Sequence, residues 1–125
     1  MRKEIHTENA PAAIGPYSQA VEKNGILFCS GQIPIDPATG LLINDDISRA
    51  THQSLKNLIA VVKGANYKVE DIVKVNVYVK SMEDFSAVNE VYKEYFSETK
   101  PARALVEVSE LPKNALIEIE AVAIK

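Results

Sequence analysis

Arg103 follows Pro101-Ala102 and opens Ala104-Leu105-Val106-Glu107-Val108, a run that otherwise reads as a half-buried strand. An arginine presents a planar fork of donors that grips a carboxylate through two parallel hydrogen bonds, a geometry lysine does not reproduce. Fifteen residues on from Arg103, Glu118 stands in Ile117-Glu118-Ile119-Glu120, a second strand with acids at alternate positions. Partial desolvation would raise the pKa of such an acid towards neutrality and equip it for general acid/base work. A guanidinium and a carboxylate on neighbouring strands would hold a small anionic substrate and deliver a proton or a water to it. The plainer alternatives stay open at this level: an ion pair of Arg103 with Glu107 or Glu120, and a solvated strand acid at Glu118.

Two further segments carry chemistry-bearing groups. In Gly15-Pro16-Tyr17-Ser18-Gln19 an aromatic hydroxyl directly follows a rigid loop, where Tyr17 either lines a pocket and donates a proton or simply packs. Ser30-Gly31-Gln32 ends an apolar strand, and a glycine there lets a ligand approach the backbone closely, or merely permits a bend. The serine lacks the flanking glycines of a nucleophile elbow. Cys29 reads as a small buried hydrophobe. His6 and His52 have no Cys, His or Asp at metal-ligand spacing, so neither a metal nor a cofactor is expected. No phosphate-cradling glycine loop is present.

These groups sit in 125 residues, 46% hydrophobic and 25% charged, which suits one domain with a sizeable core. A net charge of −3 offers no pull towards nucleic acid or anionic membranes. No apolar run reaches the roughly 20 residues needed to span a bilayer, and the N-terminus lacks a secretory core. A lone cysteine forms no intramolecular disulfide. The expectation is a cytoplasmic protein without nucleic-acid or membrane partners.

Hydrophobic periodicity supplies the elements. Residues 9–16 form a loop broken by two prolines and a glycine. Strands over 17–22 and 26–30 flank Asn24-Gly25, the strongest short-range hairpin signal. Residues 34–45 read as turns. Ile47, Ser54, Leu55, Leu58, Val61 and Val62 predict a helix over 47–64. Strict alternation predicts a strand over 72–80, with Val73, Val75, Val77 and Val79 on one side and Lys74, Asn76 and Tyr78 on the other. Phe85, Val88, Tyr92, Tyr95 and Phe96 predict a second helix over 83–97, and strands over 103–108 and 116–124 close the chain. The order ββ-α-β-α-ββ is an α+β or split β-α-β layout with helices on one sheet face.

Parity then assigns faces. With Ala104, Val106 and Val108 set towards the helices, the opposite face collects Lys74, Asn76, Tyr78, Arg103, Leu105, Glu107, Glu118 and Glu120. That mixed polar and apolar surface favours contact between copies of the chain.

Taken together, Gly15-Pro16-Tyr17-Ser18-Gln19-Ala20, Ser30-Gly31-Gln32-Ile33-Pro34, Pro101-Ala102-Arg103 and Ile117-Glu118-Ile119-Glu120 closely resemble the reactive intermediate deaminase (RidA/YjgF) family, from about Thr7 to the C-terminus. The resemblance implies a chorismate-mutase-like α+β domain over 1–125, with a mixed sheet, two helices on one face, and assembly as a homotrimer with active sites between subunits. It implies cofactor-free hydrolysis of 2-imino acids or 2-aminoacrylate (2-iminobutanoate, 2-iminopropanoate) to 2-keto acids and ammonia. By the same resemblance, Arg103 binds the substrate carboxylate, Glu118 positions or activates the water, and Tyr17 assists proton transfer. Ser30, Gly31 and Asn89 line the cleft. Many members carry a cysteine two residues beyond this arginine; here the position is Leu105, whose main-chain carbonyl remains able to contact the water.

Other functions remain open beside the deaminase. A non-catalytic trimer that binds small carboxylates would use the same arginine. A chaperone-like role or a ribonuclease acting as translation inhibitor goes with some family names, but a ribonuclease calls for a basic track that this chain lacks.

Overall fold

The computed structural model describes residues 1–125. In chain order the elements are β1 (Lys3–Ile5), β2 (Ala20–Lys23), β3 (Ile26–Gln32), α1 (Ile47–Gly64), β4 (Ile72–Val79), α2 (Phe85–Phe96), β5 (Ala102–Glu107) and β6 (Ile117–Ile124). Short 3₁₀ turns precede β4, α2 and β6. The strands make one six-stranded sheet in the order β1-β2-β3-β6-β4-β5. Every neighbouring pair is antiparallel except β4 with β5, so the sheet is mixed. Both helices cover the same face, giving the α+β layout that the sequence predicts.

α1 occupies the predicted residues 47–64 because its ends are chemically marked. Asp46 caps it, accepting from the Arg49 amide at 3.0 Å, and Ala65 and Asn66 close the other end, Asn66 in the left-handed region at φ 64°. Leu55, Leu58, Val61 and Val62 are wholly buried against the sheet. Each stabilises the fold by roughly 1.5–3 kcal/mol relative to exposure. Opposite them lie Leu27 of β3, Val75, Val77 and Val79 of β4, and Ile117, Ile119 and Ala123 of β6, all at 0% exposure. α2 adds Val88, Val91, Tyr92 and Phe96, with the last two rings 4.7 Å apart. The helix is shorter than predicted, since Met82–Asp84 form a 3₁₀ turn capped by Ser81.

The β2–β3 hairpin turns at Asn24 (φ 54°) and Gly25 (φ 77°), the left-handed pair that a tight two-residue loop requires. β2 begins only at Ala20, later than periodicity suggests, because the preceding residues bond elsewhere. The buried Gln19 accepts from the Thr7 amide at 2.7 Å and donates to the carbonyls of Thr7 and Pro11 at 3.0 and 2.8 Å. That clamp holds the N-terminal segment, whose strand β1 was not expected from its three-residue length.

Two bulges redirect side chains. Between β3 and β6 the pairs Cys29↔Ala121 and Gln32↔Ile119 advance three positions on one strand against two on the other, leaving one extra residue around Ser30-Gly31. Between β4 and β6, Ile72↔Ala123 and Lys74↔Val122 advance two against one, so Val73 is the extra residue. Val73 therefore lies 42% exposed, and Ile72 takes the buried place that strict alternation assigns to Val73.

The face assignment of β5 is also corrected. Arg103, Leu105 and Glu107 register with Val75, Val77 and Val79, so they lie on the helix-covered side, while Ala104 and Val106 register with Asn76 and Tyr78 on the open side. Apolar residues alternate on both sides of β5, and the parallel pairing with β4 decides which side turns inward. The open face therefore carries Lys74, Asn76, Tyr78, Glu118 and Glu120 as expected, but Ala104 and Val106 in place of Arg103, Leu105 and Glu107. Phe28 (54%), Val106 (45%) and Ile124 (48%) leave this face with exposed apolar area. No helix is long and apolar enough to cross a membrane.

Candidate active site

Arg103 and Glu118 do not stand on neighbouring strands: β4 lies between β5 and β6, and the two side chains leave the sheet on opposite faces. The expected pairing within one chain is thus excluded, as is an ion pair with Glu120 of the same chain; Glu107 shares the side of β5 with Arg103 but accepts from the Met82 amide at 2.9 Å and makes no ion pair with it. The structure presents two half-sites.

The first half-site lies at the β5 edge beside α2. Arg103 Nη1 donates to Asn89 Oδ1 at 2.8 Å. The guanidinium carbon sits 4.7 Å from the Tyr92 ring centroid and 6.0 Å from that of Phe85. Phe85, Asn89 and Tyr92 are spaced i, i+4, i+7, so one face of α2 supplies all three contacts. Aromatic faces hold the cation by its charge, and Asn89 orients its plane. The four salt bridges in the chain all lie elsewhere, leaving this half-buried cation without a carboxylate partner. The Tyr92 hydroxyl is buried with no hydrogen-bond partner, and burial raises its pKa, against a lowering by the Arg103 charge. Leu105 follows on the same side of β5, half-buried against the core.

The second half-site lies on the open face around the β3 bulge. Gly31 faces Glu118 so closely that a Cβ there would overlap the carboxylate, whose oxygen is its nearest neighbour. Only glycine leaves the acid this position. Glu118 receives no hydrogen bond, and its pKa is raised first by burial and then by the Glu120 charge. Glu120, by contrast, accepts from Asn76 Nδ2 at 3.0 Å and Tyr78 Oη at 2.8 Å.

Ser30 ties the bulge to the Tyr17 loop. Its hydroxyl donates to the Ser18 carbonyl at 2.6 Å and its amide to the Gln19 carbonyl at 2.9 Å. Gly15, at φ 128°, adopts a conformation that disfavours a side chain, and the Tyr17 amide bonds back to its carbonyl at 2.9 Å. Tyr17 projects, 56% exposed, into a groove of about 670 Å³ that it shares with Phe28, Ser18 and Ser30. Tyr17 and Ser30 thus share one groove and Gly31 meets Glu118 at the bulge, while Arg103, Asn89 and Leu105 lie on the helix-covered side.

Reasoning from sequence overlooked Phe85 and Tyr92 as partners of Arg103, although their spacing with Asn89 was a readable signal. Gln19, Asn76 and Tyr78 were overlooked as clamps, and only cross-strand register reveals those. Cys29 is buried and its thiol is pushed up to about 12, which leaves it protonated and unreactive. His52 contacts Tyr95 Oη at 2.9 Å, and no cluster of three potential metal ligands is present.

A family model described as Endoribonuclease L-PSP matches residues 7–125. A RutC family protein of Pyrococcus horikoshii is 56% identical over 125 residues, a match covering 100% of this chain and 99% of the relative. A Salmonella typhimurium protein named 2-iminobutanoate/2-iminopropanoate deaminase is 52% identical over 128 residues, covering 100% of this chain and 99% of the relative. The crystal structure of the YjgF gene product of E. coli superposes with a TM-score of 0.94 at 50% identity, covering 98% of each chain.

Proposed function

The chain belongs to the Endoribonuclease L-PSP family, that of the RidA/YjgF proteins, and on that premise we propose that it is a cofactor-independent imine deaminase working as a homotrimer. Its substrates are small 2-imino acids or their 2-aminoacrylate-type tautomers, and its products are 2-keto acids and ammonia. The deaminase name of the Salmonella typhimurium relative supports this reading. The observation that carries it is a half-buried Arg103 oriented by Asn89 and lacking any carboxylate partner in its own chain.

Because Arg103 and Glu118 leave opposite faces of the sheet, they meet only when Arg103 of one copy approaches the open face of another. The exposed apolar area of that face favours such packing, and three copies close the arrangement cyclically. Arg103 then binds the substrate carboxylate bidentately, which fixes the imine carbon relative to a water and removes orientational entropy from the barrier. Glu118 takes a proton from the water as its oxygen bonds to the carbon of the protonated imine, whose C=N electron pair moves onto nitrogen to give a neutral carbinolamine. Glu118 returns that proton to the nitrogen, the C–N bond breaks as ammonia leaves, and the hydroxyl proton passes back to Glu118 as the C=O bond of the keto acid forms. Tyr17 and Ser30 line one groove, where the Tyr17 hydroxyl supports proton transfer, and Gly31 leaves room for the Glu118 carboxylate. The Leu105 carbonyl offers an acceptor for the water.

The family description carries an endoribonuclease name, but no observed geometry favours that reading. The net charge is −3, and the His52 ring is engaged by Tyr95 Oη at 2.9 Å.

The test is keto-acid release from 2-iminobutanoate and 2-iminopropanoate generated in situ, with spontaneous hydrolysis subtracted. Wild type should accelerate release, and Arg103→Ala should lower kcat/KM by roughly 30- to 1000-fold, the loss of a charge-assisted bidentate pair. No acceleration by the folded oligomer would overturn the deaminase reading and leave a binding protein for small carboxylates.

A further inference from the structure

The open face holds a second acid whose role the proposed reaction does not use. Glu118 and Glu120 alternate on β6, so their side chains leave the same face about 7 Å apart at their bases. Their surroundings differ sharply. Both hydrogen bonds to Glu120 reach one oxygen, Oε2, from Asn76 and Tyr78 on β4, whereas Glu118 has only Gly31 and the Tyr78 strand position beside it. We propose that Glu120 is a positioning residue for the deaminase reaction: an anion fixed by Tyr78 and Asn76 whose charge decides at which pH Glu118 exchanges its proton. This inference rests on the proposed deaminase reading.

The geometry gives the fixed charge its leverage. A tyrosine and an amide both donate to one carboxylate oxygen of Glu120, which fixes where that side chain sits relative to Glu118. The Tyr78 hydroxyl is itself held in its protonated form, first by this hydrogen bond and then by burial and the nearby acids, so it remains a donor across the working pH range. Within its own chain no cation offsets the Glu120 charge at Glu118; the Arg103 that another copy brings to this face opposes it and is common to every variant compared below. On β4, Lys74 registers with Val122, beyond Glu120, and Lys80 is drawn away to Asn114 Oδ1 at 3.0 Å. On β3, Ser30 and Gly31 bring no charge, and Cys29 points into the core. Arg103 and Glu107 of β5 lie on the opposite face. Burial and the Glu120 charge then act in the same direction, each favouring a protonated Glu118.

The experiment compares pH profiles of kcat/KM for wild type, Glu120→Gln, Glu120→Asp and Tyr78→Phe, with ¹³C NMR titration of the glutamate carboxyl carbons in the same oligomers. Neutralising Glu120 should move the limb assigned to Glu118, and the Glu118 carboxyl titration, downward by on the order of one pH unit. Glu120→Asp keeps the charge and should leave the limb within about a third of that shift. Tyr78→Phe unpins the charge and should give an intermediate movement. An unmoved Glu118 titration in folded Glu120→Gln would overturn the inference. Should Glu120→Gln fail to fold, an unmoved titration in Tyr78→Phe would do the same. Absence of deaminase activity in wild type, with the Glu118 titration still moving, would sink the proposed reaction while leaving the electrostatic coupling established.

Discussion

Glu118 is an acid that the fold keeps partly dry and without a hydrogen-bond donor, whereas Glu120, two positions along, is bonded twice. Such an arrangement costs stability wherever the carboxylate is ionised. Its folded pKa is raised above the unfolded value, so its favourable contribution is complete below the unfolded pKa and is lost as pH rises through the folded one. Glu118→Gln removes that burden. The variant should be more heat-stable than wild type at about pH 7, and the gap should close as pH falls below the ordinary glutamate range near 4.3. Paired thermal melts across this window check the sign. A gap that widened on acidification would mean Glu118 is stabilised as an anion. Activity should fall in the same variant, because glutamine takes no proton from water. A variant that is stabler yet inactive is the expected signature of a residue kept for chemistry.

Among the elements, the β2–β3 hairpin and the two bulges set the register of the strands, and the bulge at Ser30-Gly31 places Gly31 against Glu118. Gly25 turns at φ 77°, and a Cβ there would come within 2.8 Å of the Lys125 carbonyl oxygen, a backbone atom that cannot easily retreat. Gly25→Ala should therefore destabilise the fold by roughly 1–3 kcal/mol, seen as a lower denaturant midpoint with an unchanged slope. This turn was legible from Asn24-Gly25 alone, and α1 from its apolar stripe, because both signals are local. β1 was not legible, since three residues carry too little pattern, and its place depends on the Gln19 clamp. The bulge at Val73 and the facing of β5 escaped for a related reason. Alternation reports that a strand has two faces; it does not say which is inward when both carry apolar residues. Ala104 and Val106 look like core residues in sequence, yet they lie on the open face because β5 pairs in parallel with β4. Arg103 and Glu118 were recognisable as site candidates, but their separation by a whole strand and a sheet's thickness was not.

For the molecule as a whole, that separation is the central fact. A sheet covered by helices on one side and bearing Phe28, Val106 and Ile124 on the other has an unfinished surface. Packing of other copies of the chain against that surface, as proposed above, would also bring together the halves of the site. Val106→Lys puts a cation on this face without touching the helix-side core. It should shift the proposed trimer to smaller species in sedimentation experiments and abolish activity together with assembly; a fully trimeric variant would place the interface elsewhere.

The most direct test mixes two inactive variants. Arg103→Ala and Glu118→Gln chains, unfolded together and refolded at equal ratio, would form trimers in which some interfaces pair an intact Arg103 with an intact Glu118. With random assortment into a cyclic trimer, about a quarter of the interfaces qualify, so imine hydrolysis should return to about a quarter of the wild-type rate. A mixture no more active than either variant alone, despite verified mixed trimers, would contradict a site shared between chains.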